Sequence, residues 1–376
     1  MFKAVEAFIF CLVFTGGGNF LSIYYEIGQP GMWFLLGVLI LAPFTVVSGK
    51  KIIFSSILFM LLISSVGYLL SFFLDISNST GLSIYLMPLI GFMYLLFVSL
   101  QSESRLLDIK IYTKISLVIL CFSIIAEPYF LYNKFGAFYE GVRLSGLAMN
   151  PNLAAFYIIV HLIVINMLEG KIPRRLMLLS FLCVVVTFSR SGILAMMVVF
   201  ILVNVRNFTI KNMSYIALLS VFATGVGVIL FSKFGFNKDY FELVTNFNFD
   251  RINPFNQRDQ LQIDSSRINI INDYMEEINN SPIFGHGPVE GSLKRIRAHN
   301  TIINIWFEIG IFGALSFVGF LVSIIVTGFK RTSALMVAWV CLFFTFFINN
   351  LLYQAPFWLM VGILLSRRVP KKENSG

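Results

Sequence analysis

The sequence predicts an all-α polytopic membrane protein, and three observations carry that class. Of 376 residues, 57% are hydrophobic and 12% charged, against roughly 45–50% apolar and about 25% charged in soluble domains. The apolar residues, 41 Phe among them, form continuous runs near the ~20 residues that a bilayer-crossing helix needs. A β-barrel would alternate instead, in ~10-residue segments. The four cysteines, Cys11, Cys121, Cys183 and Cys341, stand singly inside such runs with no CxxC pair, so they read as small buried hydrophobes. Together these observations exclude a soluble enzyme, a disordered chain, a coiled coil and a disulfide scaffold.

In chain order the runs give about 12 transmembrane helices, near 5–26, 30–47, 52–73, 81–100, 111–132, 151–168, 175–189, 191–205, 213–232, 309–329, 334–348 and 351–366. The first is interrupted by Gly16-Gly17-Gly18. Its Lys3 and apolar stretch are similar to a signal peptide, but no small-residue cleavage site follows, so it is kept as a helix. Lys and Arg of short loops gather on the cytoplasmic side. A cytoplasmic N-terminus puts sixteen of them inside and leaves only Lys134, Arg143 and Arg190 in the short outer loops. Both termini are therefore expected in the cytoplasm of a multi-pass protein. The net charge of +9 is topology signal; membrane lipids are the expected neighbours and no nucleic acid is implied.

Three regions follow: 1–232 with helices 1–9, a large outer loop over 233–300, and 301–376 with an interfacial helix, helices 10–12 and a short cytoplasmic tail. Between residues 233 and 298 the charges nearly cancel, eight Lys and Arg against nine Asp and Glu. An unstructured loop of that length is usually functional, and part of this one is patterned. Asp264-Ser265-Ser266 is an N-cap signal before Ile268, Ile270, Ile271, Tyr274, Met275 and Ile278, an apolar helical face. Asn279-Asn280-Ser281-Pro282 ends it, and Gly285-His286-Gly287-Pro288 marks a tight turn. Beyond Lys294-Arg295-Ile296-Arg297, residues Ile302, Ile303, Trp306 and Ile309 share one face, which suits a helix along the interface or the start of a span.

Candidate chemistry begins with outward arginines. Arg190 lies in Thr187-Phe188-Ser189-Arg190-Ser191-Gly192 with almost no loop around it. An arginine there faces a cavity or partner, or else snorkels from a helix end. Arg143 lies in Arg143-Leu144-Ser145-Gly146, shortly before Asn150-Pro151-Asn152 opens a helix; the plainer reading is a solvated loop charge. Arg267 begins the loop helix, as a ligand contact or as a surface partner of Asp264. Three separated guanidiniums suit a pyrophosphate, because each fork binds oxygens bidentately. His161, mid-span, reads as a packed helix contact. His286 sits in the glycine-rich turn. His299, before Asn300, is positioned for general-base work or donation to a phosphate, or caps the next helix. Lys294, Arg295 and Arg297 bind substrate or only lipid headgroups. No DxD pair, HExxH, GxSxG, P-loop or His/Cys metal spacing occurs, so no cofactor or metal is expected. Acids near the spans are few (Glu6, Glu26, Glu127, Glu308), which weakens an ion-coupled transporter.

His299-Asn300, nine residues, Gly310, two residues, Gly313 resembles the signature of bacterial O-antigen ligases and the related O-antigen polymerases. Ser281-Pro282-Ile283-Phe284-Gly285-His286-Gly287 is similar to the Pro-x-x-Gly-x-Gly turn of that family. Ser189-Arg190-Ser191-Gly192 resembles its Ser-Arg-Ser-Gly helix junction, and Arg143 through Asn152 its Arg-x-x-Gly and Pro-Asn element. The resemblance is strongest over roughly 140–330. It implies a metal-independent, inverting, GT-C-like membrane glycosyltransferase with one large periplasmic loop containing short helices. The implied donor is a glycan on undecaprenyl pyrophosphate. For a ligase the acceptor is the lipid A–core sugar; for a polymerase of O-antigen, capsule or exopolysaccharide it is the growing polysaccharide. Catalytic roles then fall on His299, Arg190 and Arg143, and substrate binding on Arg267, Asn300, Arg295 and Arg297. The single large loop and the fit at His299–Gly313 favour the ligase. A transporter of lipid-linked sugar stands third, because no inverted repeat is visible. The implied location is the bacterial inner membrane, with the site facing the periplasm.

Overall fold

The computed structural model describes residues 2–25, 32, 33, 35, 37, 56–74, 82–130, 144–204, 257–287, 298–329, 331–348 and 350–366. The described elements are helical: α1 (Phe2–Phe14), α2 (Gly17–Tyr25), α3 (Ser56–Leu74), α4 (Leu82–Ser99), α5 (Glu103–Phe130), α6 (Pro151–Glu169), α7 (Arg174–Val186), α8 (Arg190–Asn204), α9 (Gln257–Asn280), α10 (Thr301–Gly328), α11 (Thr332–Thr345) and α12 (Ala355–Ser366), with short 3-10 turns at Gly146–Ala148 and Leu351–Tyr353. Among the described residues, three stretches are long and apolar enough to cross a membrane, Glu103–Glu127, Pro151–Glu169 and Thr301–Gly328; five shorter apolar helices accompany them. The expected spans 30–47 and 213–232 and the C-terminal tail lie mainly or wholly outside the described residues.

α6 is the centre of the bundle. It is apolar all round, as a fully buried helix must be, and Ala154, Ala155, Phe156, Ile158, Ile159 and Val160 are all inaccessible. It packs against α5, α7, α8, α11 and α12. His161 is buried on it, with Nδ1 2.6 Å from the Tyr157 carbonyl, a packed helix contact as expected. By contrast α5 and α10 each expose an apolar stripe, Ile111, Ile115, Val118 and Phe122 on one, Phe312, Leu315, Val322 and Val326 on the other. Such stripes suit contact with hydrocarbon.

The two ends of the bundle differ in chemistry. At one, Lys3 pairs with Asp108 at 3.0 Å, Arg105 grips Glu6 and Asp108, and Lys110 and Lys114 meet Glu169. At the other lie the turns carrying the glycine-rich and Ser-Arg-Ser-Gly segments.

Several boundaries differ from expectation. The first span is two helices, α1 and α2, because Gly16 turns the chain at φ 86°, where a β-carbon would lie 2.9 Å from the backbone of Leu147 and Ala148. α9 starts at Gln257, so Asp264-Ser265-Ser266 lies within the helix and not at its start. Asp and Ser cost only tenths of a kcal/mol in a helix interior, and the preceding Gln257–Gln262, with Gln, Arg and Leu, continues the helix upstream. Arg267 is accordingly inside α9 and does not begin it. The helix described in the loop, α9, has 24 residues, longer than the short helices expected. The interfacial helix and the tenth span are one element, α10, broken at Gly310 (φ 77°, ψ −175°).

Candidate active site at the motif end

The break in α10 organises the site. A helix interrupted at Gly310 leaves backbone groups without their usual partners, and buried backbone groups need partners. The turn after α9 supplies them. His286 N donates to the Phe307 carbonyl at 2.7 Å, Gly287 N to that of Glu308 at 3.0 Å, and Ile311 N to that of Pro282 at 3.0 Å. Trp306 Nε1 also donates to the Pro282 carbonyl, at 3.0 Å. The glycines follow from this docking. A β-carbon on Gly285 would lie 2.7 Å from the backbone of Glu308, Ile309 and Gly310; one on Gly310 would lie 1.8 Å from the Ile283 carbonyl oxygen. The two segments that resembled a family signature, Ser281–Gly287 and His299–Gly313, are thus one physical unit. His286 serves it structurally, stacking on Phe307 at 4.8 Å with Nε2 2.8 Å from the Glu277 carbonyl. Tyr274, Ile278 and Phe307 form a small core beside it, so the apolar face expected on the loop helix is used.

At the start of α10, Asn300 is the N-cap, its side-chain oxygen accepting from Ile302 N at 3.0 Å and Ile303 N at 3.2 Å. His299 precedes it, exposed and at φ 48°. The cap is therefore Asn300 and not the histidine. Thr301 Oγ1 donates to the Ile348 carbonyl at 2.9 Å, tying this end to the turn before α12.

α6 opens in the same way. Asn150 caps it through Asn152 N and Leu153 N, Pro151 takes the first turn where no N–H is needed, and Met149 precedes at φ 59°. Ser189 Oγ donates to Asn152 Oδ1 at 2.8 Å and accepts from Gly192 N at 3.1 Å. Gly192 is close to α6, where a β-carbon would sit 2.3 Å from Ala155 Cβ. The Pro-Asn element and the Ser-Arg-Ser-Gly junction therefore meet, and the backbone of Arg190 opens α8 beside them. Glu127 Oε2 accepts from Ser145 N at 2.6 Å and Gly146 N at 2.7 Å, fixing the turn that follows Arg143. Arg143, Arg295 and Arg297 lie outside the described residues, as do the side chains of Arg190 and Arg267.

Sequence reading counted Glu308 only among the acids near the spans. Its Oε2 accepts from Tyr68 Oη at 2.5 Å, Asn350 Nδ2 at 2.8 Å and Tyr353 Oη at 2.9 Å. The chain of polar contacts continues from Asn350 through Gln354, whose Nε2 donates to the Asn350 carbonyl at 3.3 Å and whose Oε1 accepts from Tyr157 Oη at 2.7 Å. A polar belt thus crosses the apolar bundle at the motif end, from α3 through α10 and the 350–354 turn to α6. Polar groups at such depth are costly, and in membrane proteins they mark functional sites.

Membrane-length helices, a broken helix and buried polar side chains gathered at one end are consistent with a helical membrane protein. By comparison with known families, residues 176–318 match the model of the O-antigen ligase family. The match takes in the Ser189–Gly192 junction, the docked turn, His299 and the Gly310 break. No curated protein matches the chain.

Proposed function

We propose that the protein is an O-antigen ligase, transferring a glycan from undecaprenyl pyrophosphate to the lipid A–core acceptor on the periplasmic face of the inner membrane. The observation that carries this reading is the docking of Ser281–Gly287 on the Gly310 break. It makes one rigid unit of the family's most specific segments and sets His299 at the mouth of a capped helix. Twelve spans, both termini in the cytoplasm and the motif end in the periplasm complete the reading. The charge asymmetry supports it: Lys3, Arg105, Lys110 and Lys114 all lie at the end opposite the motifs.

In the reaction, an acceptor hydroxyl oxygen bonds the anomeric carbon as the bond from that carbon to the pyrophosphate oxygen breaks. Undecaprenyl pyrophosphate leaves with the electron pair. His299 takes the hydroxyl proton or orients the donor phosphates. Arg143, Arg190 and Arg267 stabilise the charge that develops on the leaving group, a task guanidiniums perform without a metal. Asn300, Arg295 and Arg297 stand beside His299 in sequence and complete the substrate contacts.

The test is the lipopolysaccharide and lipid-linked glycan profile of a deletion strain, with and without the gene restored. Long lipid-linked glycan accumulating over a bare core is the expected result. A core bearing a single repeat with no long chains would make the protein a polymerase. Unchanged glycans on both carriers would refute both.

A further inference from the structure

The break at Gly310 separates α10 into a half-helix, Thr301–Ile309, and a remainder. With the ladder of hydrogen bonds interrupted, the remainder does not dictate where the half-helix points; tertiary contacts must. At its far end those contacts converge on one residue. The Glu308 carbonyl takes Gly287 N at 3.0 Å and Ser71 Oγ at 3.4 Å. Its carboxylate takes Tyr68, Asn350 and Tyr353 on a single oxygen, and Asn350 Nδ2 also lies 2.5 Å from Tyr68 Oη. Glu308 is 5% exposed, Tyr68 fully buried and Asn350 2% exposed. Three donors on Oε2 hold the side chain from two other parts of the chain. One side chain therefore joins α3, α10 and the turn before α12.

We propose that Glu308 is a positioning residue for glycan transfer: by anchoring the half-helix to α3 and to the 350–353 turn, it sets where His299 and Asn300 stand. The proposal rests on the transferase reading above, with His299 in the reaction. Glu308 acts through the half-helix and touches no reacting atom. Misplacement of a reacting group by ~1 Å costs about 10²-fold in rate, so loosening the anchor falls on kcat more than on donor binding.

The experiment uses the full chain in proteoliposomes with its lipid-linked glycan donor, comparing wild type with Glu308→Ala, Glu308→Gln, Tyr68→Phe and Tyr353→Phe. Glu308→Ala is expected to lower kcat by about 10–100-fold with the donor KM within about 3-fold. Glu308→Gln, which keeps an acceptor oxygen, should fall between it and wild type. Each Phe variant deletes one donor and should cost roughly 3–10-fold. A second readout needs no turnover: amide exchange of Thr301–Ile305 without substrate rises about 10-fold or more in Glu308→Ala, while α11 and α12 keep their protection. Unchanged exchange in the half-helix would overturn the proposal. So would a raised KM at constant kcat, or activity losses that merely track the amount of folded protein. Where Glu308→Ala does not fold, Tyr353→Phe decides by the same two readouts. A wild-type protein inactive on every lipid-linked donor would sink the transferase reading, and the exchange comparison would then judge the anchor by itself.

Discussion

Gly310→Ala tests whether the docked turn and the broken helix form one unit. The β-carbon would lie 1.8 Å from the Ile283 carbonyl oxygen and 2.3 Å from its carbon, against ordinary contacts of about 3.4 Å or more. The turn must withdraw by about 1.5 Å or the helix must straighten. Either movement breaks the three backbone bonds from His286, Gly287 and Ile311. At about 1 kcal/mol each they amount to ~3 kcal/mol. Holding a residue with a side chain at φ 77°, ψ −175° adds about 1–3 kcal/mol. The docked arrangement therefore loses about 4–6 kcal/mol, a shift of about 10³–10⁴ in its population at ~1.4 kcal/mol per decade. Hydrogen exchange read at the amides of His286, Gly287 and Ile311 should show protection falling by that factor, or to the floor set by global opening, and glycan transfer should be lost with it. Gly170→Ala is the control. Gly170 also has a positive φ, 75°, but nothing lies within 4 Å of its β-carbon position, so only strain of about 1–2 kcal/mol applies and the turn should be undisturbed. Protection in Gly310→Ala within about 3-fold of wild type would refute the reasoning.

Three further outcomes follow from the proposed chemistry and the packing. His299→Ala should abolish glycan transfer in cells at a normal protein level, read by lipopolysaccharide gels; intact transfer would remove the histidine from the reaction. Arg190→Lys should rescue poorly, by about 10-fold or worse, because an ammonium is a point charge without the bidentate fork; full activity would exclude bidentate binding. Gly192→Ala puts a β-carbon 2.3 Å from Ala155 Cβ and should cost about 1–3 kcal/mol through overpacking, seen as a lower melting temperature in detergent; an unchanged melting temperature would mean that α6 and α8 separate freely.

What was legible in the sequence was local. Asn150-Pro151 announces the start of α6 because the cap and the proline act within one turn, and the turn residues 279–282 announce the end of α9. The start of α9 was misread for the complementary reason: Asp264-Ser265-Ser266 is a cap signal only where no helix precedes it. The glycines at 285, 287 and 310 stood out as a pattern, but their cause did not, since Gly310 is excluded from bearing a side chain by a carbonyl at residue 283 and not by its neighbours in α10. Glu308 was the hardest to read. Its partners Tyr68 and Asn350 lie 240 and 42 residues away, and nothing in a lone glutamate beside an apolar run says that two phenols and an amide will meet it. The arginines were visible as charges out of place on the expected outer side, a signal of composition that requires no knowledge of their contacts.

The Glu308 cluster also constrains the order of biosynthesis. Tyr68 leaves the ribosome 282 residues ahead of Asn350. At about 5–20 residues per second its phenol waits some ~15–55 s for the amide that meets it, while α3 is already made. Until the final hairpin is inserted, Glu308 has Tyr68 and lacks the donors at 350 and 353. Completion of this centre consequently waits for synthesis of the 350–353 turn. A chain stopped after Thr345 would carry that carboxyl with Tyr68 alone of these three donors.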